Sequence, residues 1–207
     1  MKNPTSDGKR YISIESSPTS AINLETFLTG HPDLTPRDCD ILAESVDRHN
    51  DGKVIYLPYV KPLPTMPWLN GGYFGDADSL RLPEKIRVLY EGVAMGHLLH
   101  LRNLKNSGIV RASVRMTGGA TRSRIWTQIF ADVLGLPIEV PNNRSAGALG
   151  AAICAGVSAG MYGSVDEACR EMISVKQVFY PDGEYTGYYQ QKFNEFLRLI
   201  EIQGRSR

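Results

Sequence analysis

The stretch Val110-Arg-Ala-Ser-Val-Arg-Met116, followed by Thr117-Gly-Gly-Ala-Thr-Arg-Ser123 and by Arg124-Ile-Trp-Thr-Gln-Ile-Phe-Ala-Asp-Val-Leu134, decides the fold of this chain. Its first part alternates apolar and polar side chains with period two, which predicts a β-strand over residues 110–116. Its last part repeats apolar side chains along one face of a helix. The sequence therefore predicts a strand that turns into a helix through two glycines.

The two glycines, Gly118 and Gly119, are the most informative residues of this stretch. A glycine turn lets a ligand approach the backbone closely, and the first amides of the following helix point toward an anion such as a nucleotide phosphate. The spacing is neither that of a Walker A loop, since no lysine follows the glycines, nor that of a dinucleotide fingerprint. A tight turn without any ligand remains the alternative.

Length, charge and cysteine usage narrow the class of protein. The chain has 207 residues and a formal net charge of +1, which fits one domain, with or without an appendage. Balanced charge predicts neither a nucleic-acid partner nor a membrane surface partner. The N-terminus lacks the apolar segment of a signal peptide, and the three cysteines are typical of reduced thiols. We therefore expect a cytoplasmic protein, in which Cys154 fills the core of an apolar helix that packs closely inside the protein.

Local signals predict the order of the other elements. They predict strands at residues 11–14, 54–57 and 138–140, a turn at residues 50–52 and an irregular loop over residues 58–75. One helix is predicted with Pro18 in its first turn, a second with Thr35 as its cap and Pro36 in its first turn, and a long third helix from Pro83. Gly135 should end the helix that follows the glycines, and further helices are predicted over residues 146–159 and, from a capping box at Ser164, over residues 164–173. The last helix carries an aromatic packing stripe of Tyr185, Tyr189, Phe193 and Phe196. His97 and His100 could share a metal, but no acidic or cysteine partner lies nearby in sequence.

Beyond these signals, the residues from Thr117 to Val140 resemble the adenosine-binding segment of the FGGY carbohydrate kinases. Gly147-Ala-Leu-Gly-Ala-Ala-Ile-Cys-Ala155 resembles the helix that follows this segment in that family. Further similarities are Leu57-Pro-Tyr59, Arg87-Val-Leu-Tyr-Glu-Gly-Val93 and Pro181-Asp182 before a tyrosine-rich last helix. The resemblance covers residues 11–200, and within the family it is greatest to the xylulose and L-xylulose kinases.

The resemblance implies a fold and a function. The fold would be α/β, the ribonuclease H-like second domain of the actin/hexokinase/Hsp70 superfamily, truncated at its N-terminal side, with residues 1–207 forming a partial FGGY C-terminal domain. The function would be the adenosine-binding part of an ATP-dependent kinase that phosphorylates a pentulose or a related sugar or polyol. ATP and Mg²⁺ would be the cofactors. Gly118, Gly119 and Ala120 would contact ribose and phosphates through their backbone, and Ser123 would face the adenine. Arg122 could neutralise phosphate, and Gln128 is expected to support the helix. In the family the loop of residues 58–75 approaches the sugar, so Trp68, Tyr73 and Phe74 could contact a sugar or a neighbouring domain; ordinary packing within the loop is the alternative.

The same resemblance implies what this sequence lacks. In the family the general base, a second phosphate loop and most sugar contacts precede the matched region. Asp7, followed by Gly8-Lys-Arg10, does not fit the context of the catalytic aspartate, so no residue is assigned as catalytic. Ser145 stands where the family usually has an acidic residue. The alternative function is a non-catalytic remnant or interaction subunit, which would form a homodimer or bind a partner half.

Overall fold

The computed structural model describes residues 2–4, 11–16, 19–46, 53–61, 63, 65–143 and 145–205. The strands are β1 (Lys2–Pro4), β2 (Tyr11–Ser13), β3 (Ile55–Leu57), β4 (Gly72–Phe74), β5 (Val114–Arg115), β6 (Ile138–Pro141) and β7 (Val175–Phe179). The α-helices are α1 (Ile22–Thr29), α2 (Pro36–Glu44), α3 (Leu82–Asn106), α4 (Arg124–Leu134), α5 (Ala146–Ser158), α6 (Val165–Met172) and α7 (Thr186–Arg205). The predicted α/β class is confirmed.

The strands of the described residues form three small sheets. β1 pairs with β2, and β3 pairs with β4, both antiparallel. In the third sheet the order is β5-β6-β7, with β5 parallel and β7 antiparallel to β6. The parallel pair matters most for function, because the carboxyl ends of parallel strands lie at one edge of a sheet, where ligands usually bind.

Helix α3 is the centre of the molecule. The side chains from Val88 to Gly96 are all buried, because α2, α4, α7 and β3 pack around this part of the helix. Gly92 permits the closest of these contacts: a Cβ atom there would overlap the carbonyl oxygen of Tyr56 on β3. The predicted Glu-Gly pair is therefore a packing device, in which the glycine admits a strand.

The neighbouring Glu91 ties α3 to α7. Its carboxylate accepts hydrogen bonds from Arg87 Nε at 3.2 Å, from Tyr189 Oη at 3.1 Å and from Lys192 Nζ at 2.6 Å. All four side chains are at least 97% buried. Buried charges persist only when they are paired and hydrogen-bonded, so this network requires α3 and α7 to keep one relative position.

The predicted helix boundaries are largely confirmed. Thr35 caps α2 through a box with Asp38, and Pro36 is the first helical residue. Gly135 ends α4 with φ of 62°, the left-handed conformation that favours glycine. The capping box predicted at Ser164 is half formed: Ser164 accepts from Glu167 N, but the Glu167 carboxylate accepts from Gly163 N instead of the cap residue.

Three strand predictions need correction. The predicted strand over residues 110–116 is only Val114–Arg115, because β6 pairs with these residues alone, and Val110 is 70% exposed. The predicted irregular loop contains β4, which is a strand because it pairs with β3. The sequence analysis also missed β7, whose side chains are mostly exposed and show no clear apolar alternation.

The prediction of a closely packed helix at residues 146–159 is wrong in its packing. Helix α5 forms, but only Ile153 and Gly156 are buried. Cys154 is exposed and does not fill a core, whereas Cys39 is buried. Small residues allow close packing against a neighbour without requiring one, which is why composition alone misplaced this helix.

Several predictions fall on residues outside the described part of the chain: Asp7, Pro18, the turn at residues 50–52, and the loop prolines Pro62 and Pro64. Among the described residues, no helix is both long and apolar enough to span a membrane.

His97 gives the fold a testable pH dependence. Burial, assisted by neighbouring His100, lowers the pKa of His97 from 6.5 to about 4. Its Nε2 lies 3.1 Å from Ser20 Oγ, and its ring packs edge-on against Phe130. In the unfolded chain this histidine binds a proton near pH 6.5, whereas in the folded chain it does so only near pH 4. The contribution of neutral His97 to the free energy of unfolding is therefore fully present above pH 6.5 and is lost as the pH falls toward 4.

Between pH 7 and pH 5, we expect the free energy of unfolding of His97→Gln to fall by about 2 kcal/mol less than that of the wild type. Urea melts of both proteins at the two pH values measure this difference. Carboxylates with lowered pKa, such as Glu139, do not interfere, because their contribution is lost below about pH 4.5. Equal losses for the two proteins would contradict this role of His97.

Candidate functional site

The predicted glycine turn lies at the carboxyl end of β5. Gly118 has φ of 102° and ψ of −169°, a conformation that side chains rarely adopt, and Gly119–Arg122 form a 3₁₀ turn that leads into α4. The first amides of a helical turn have no partner within the turn, so those of Gly119 and Ala120 can bind a ligand. We call residues 117–123 the glycine loop.

The glycine loop has open space beside its two glycines. A Cβ atom added at Gly118 or at Gly119 would meet no heavy atom within 4 Å. These glycines are therefore not required by packing inside the chain, in contrast to Gly92. The loop is closed by its own bonds, Thr121 N to Gly118 O at 3.2 Å and Thr121 Oγ1 to Gly118 O at 2.7 Å. The geometry suits a bulky anion that approaches bare backbone.

A cavity of about 320 Å³ adjoins this loop. It lies between the carboxyl ends of β5 and β6 and the helices α5 and α6, and its lining includes Arg115, Thr117, Asn143, Ala146 and Gly150. At its edge Arg115 pairs with Glu139 at 2.8 Å, and hydrogen bonds from Arg115 and Ser113 lower the pKa of that carboxyl. Ser145, at the start of α5, does not cap the helix; its amide donates to Asn143 Oδ1.

Ser123 is buried rather than presented at the surface. It is 6% exposed, and its hydroxyl accepts from Trp126 N at 3.0 Å and donates to Asp40 Oδ1 at 2.7 Å. The hydroxyl thus caps α4 and anchors the glycine loop. The adenine contact expected of Ser123 stays a prediction, and a hydroxyl held in this way has no hydrogen left to donate to a base.

Sequence analysis did not find Asp40, which joins three elements beneath the glycine loop. Its Oδ1 atom also accepts from Tyr90 Oη at 2.8 Å, and burial together with Asp40 raises the pKa of Tyr90 well above its usual value. The Tyr90 ring stacks on Trp126 with centroids 4.2 Å apart, and Trp126 Nε1 donates to Tyr90 O. No sequence motif could signal this contact, since Asp40 and Ser123 are 83 residues apart.

Two further predicted residues of this region take different positions. Gln128 donates from Nε2 to Asp132 Oδ1 at 2.7 Å and to Tyr180 O at 2.8 Å, which confirms its supporting role. Arg122 lies exposed in the glycine loop. Its guanidinium is accessible to solvent and could contact a bound anion.

The two histidines form a polar cluster away from the glycine loop. No acidic partner lies near these histidines in sequence, but in the folded chain Glu15 Oε2 lies 3.5 Å from His100 Nδ1. The fold brings β2 and α3 together here, which sequence spacing could not show. Within the described ranges, however, no three His, Cys, Asp or Glu side chains form a group that could hold a metal.

The aromatic residues of the predicted loop are packed. Tyr73 donates to Lys85 O at 2.9 Å and contacts Tyr56 edge-on, and burial raises its pKa well above the usual value. Trp68 lies against Gly204 of α7, and Phe74 packs against the core. Ordinary packing thus accounts for these side chains.

Comparison with known proteins shows the family and the fold of the chain. The profile described as "FGGY family of carbohydrate kinases, C-terminal domain" matches residues 37–159, more than half of the chain and including the whole glycine loop. The L-xylulose/3-keto-L-gulonate kinase of Escherichia coli is 30% identical over 96% of this chain and 40% of its own length. A probable L-xylulose kinase of Haemophilus influenzae is 28% identical over 93% of this chain and 39% of its own length.

A solved structure extends the likeness to the fold. The xylulose kinase from Rhodospirillum rubrum superposes with a TM-score of 0.78 at 25% identity, over 89% of this chain and 38% of that chain. The predicted α/β fold of the actin/hexokinase type is confirmed, and the chain spans about 40% of the length of the relatives that it matches. The chain belongs to the FGGY family of carbohydrate kinases, whose C-terminal domain it matches.

Proposed function

We propose that this chain supplies the adenosine-binding side of an ATP-dependent sugar kinase. The observation that carries the proposal is the glycine loop: bare backbone at Gly118 and Gly119, open space before it, and its place at the carboxyl end of a parallel strand pair in a chain of this family. In the proposal the backbone of Gly118, Gly119 and Ala120 lies against ribose and phosphates. Ser123 holds the end of the loop at the side where the adenosine would lie.

The site fits the phosphates of ATP better than it fits a metal ion by itself. Backbone amides at the start of a helical turn bind anions without a counter-charge, and exposed Arg122 can add one. Mg²⁺, when bound, neutralises charge on the transferred phosphoryl group and would enter with the nucleotide. None of the described residues is assigned as its ligand.

The sugar is proposed from the relatives. The two similar bacterial proteins carry L-xylulose in their names, and the similar solved structure is a xylulose kinase. A pentulose or related sugar or polyol is thus the substrate class that we propose for the complete catalytic unit. Most of its contacts, and the general base, would come from the region that precedes this match in the family.

A specific observation favours the alternative, in which the chain is an interaction subunit. A cavity of about 570 Å³ lies among the ends of α3, α4 and α7. Apolar side chains, among them five leucines, Val110, Val133 and Phe193, line it together with charged groups such as Arg102 and Asp132. Val110, at its rim, is 70% exposed. Apolar surface of this kind is usually covered by a partner, here a second copy or the half that completes the kinase.

Nucleotide binding tests the proposal. We expect Gly119→Val to weaken the binding of ATP at least about tenfold, the equivalent of one lost charge-assisted hydrogen bond, because its side chain would occupy the phosphate position. Isothermal calorimetry on the folded chain measures this affinity.

Gly183→Val is the matched control. Gly183 also begins a 3₁₀ turn and also has open space around it, but it lies before α7. Its substitution should leave the affinity for ATP unchanged. Equal affinity for wild type and Gly119→Val would sink the assignment of the glycine loop.

The chain on its own should not phosphorylate xylulose or related sugars. The glycine loop can bind ATP but cannot align a sugar hydroxyl with its γ-phosphate, and alignment supplies on the order of 7–11 kcal/mol in favourable cases. A coupled assay of ADP release across a panel of ketoses and polyols checks this. Addition of an N-terminal half from a close relative should restore turnover if the two halves dock. Sugar-dependent ADP release by the highly purified chain would show that a catalytic residue lies within it.

A further inference from the structure

The position of the glycine loop depends on contacts at its C-terminal end. A Cβ atom at Gly118 or Gly119 would meet no heavy atom within 4 Å, so no neighbouring element packs against that side of the two glycines. At the other end, Thr127 Oγ1 donates to Ser123 O at 2.7 Å, and Ser123 itself is almost fully buried. The N-terminal end of the loop follows the bond from Met116 N to Glu139 O at 2.9 Å, and the contacts of Ser123 fix its C-terminal end, next to the loop amides.

Asp40 fixes Ser123. A serine hydroxyl rotates freely and can donate in any direction, but its hydrogen is committed here to Asp40 Oδ1. A lone pair is thereby directed at Trp126 N, which makes Ser123 an effective cap of α4. The carboxylate is an acceptor only, so it cannot reverse this arrangement.

Asp40 is itself held from a second side. Tyr90 Oη donates to the same Oδ1 atom at 2.8 Å, and the Tyr90 ring is completely buried and stacked on Trp126. One carboxylate oxygen thus connects α2, α3 and the start of α4 at a single point beneath the glycine loop.

We propose that Asp40 is a positioning residue for the nucleotide: it acts through Ser123 to hold the glycine loop in its binding geometry and does not itself touch the ligand. This inference rests on the proposed nucleotide site, and it adds a residue 83 positions away in sequence that controls the affinity of that site.

Two measurements on the full chain test this role. Hydrogen exchange without nucleotide should show faster exchange of the amides of residues 118–123 in Asp40→Ala than in the wild type. Calorimetry should show that Asp40→Ala binds ADP about tenfold more weakly. Asp40→Asn keeps an acceptor oxygen in place and should stay within about threefold of the wild type. Should Asp40→Ala fail to fold, Asp40→Glu replaces it, because the displaced carboxylate should give the same loss.

Asp38→Ala is the matched control. Asp38 lies on the same helix and closes the capping box with Thr35, so its loss destabilises α2 without touching Ser123. Its loop exchange and ADP affinity should match those of the wild type. Unchanged loop exchange in Asp40→Ala, or an equal effect of Asp38→Ala, would overturn the positioning role. If the wild type does not bind ADP, the proposed function fails, and loop exchange still decides the role of Asp40.

Discussion

The buried carboxylate of Glu91 is the interaction on which the rest of the structure depends. It accepts hydrogen bonds from two cationic side chains and from Tyr189, and so holds α7 against α3. Its chain neighbours hold other elements: Tyr90 binds Asp40 and stacks on Trp126, and Gly92 admits β3. Such a network adds little net stability over an apolar core, but loss of one member leaves charges buried without compensation. Three consecutive residues of α3 thus position four neighbouring elements, α2, α4, α7 and β3.

The geometry of the candidate site depends on this part of α3. Trp126, stacked on Tyr90, belongs to the first turn of α4, and Ser123 caps that turn. The glycine loop therefore begins at the edge of a strand and ends on a rigid junction of three helices. The loop is open beside its two glycines, whereas Ser123 at its end is buried. A site that binds phosphate through backbone amides needs this division, because its precision comes from the scaffold behind it.

Sequence reasoning succeeded where the signal was local. The caps at Thr35 and Gly135, the long helix from Pro83 and the glycine turn itself were predicted from residues a few positions apart. It failed where a distant partner decided the outcome. β4 exists because β3 pairs with it, β5 is short because β6 pairs with only two of its residues, and Asp40 reaches Ser123 only in the folded chain. The exposure of α5 shows the same limit, since an alanine-rich helix does not reveal what covers it.

The central claim is that the glycine loop binds the phosphates of a nucleotide. A crystal structure of the chain with ADP or a non-hydrolysable ATP analogue tests it most directly. Phosphate oxygens should lie about 3 Å from the amide nitrogens of Gly119 or Ala120, on the side where both glycines leave open space. Nucleotide bound at any other place, with the glycine loop in contact with solvent alone, would contradict the account.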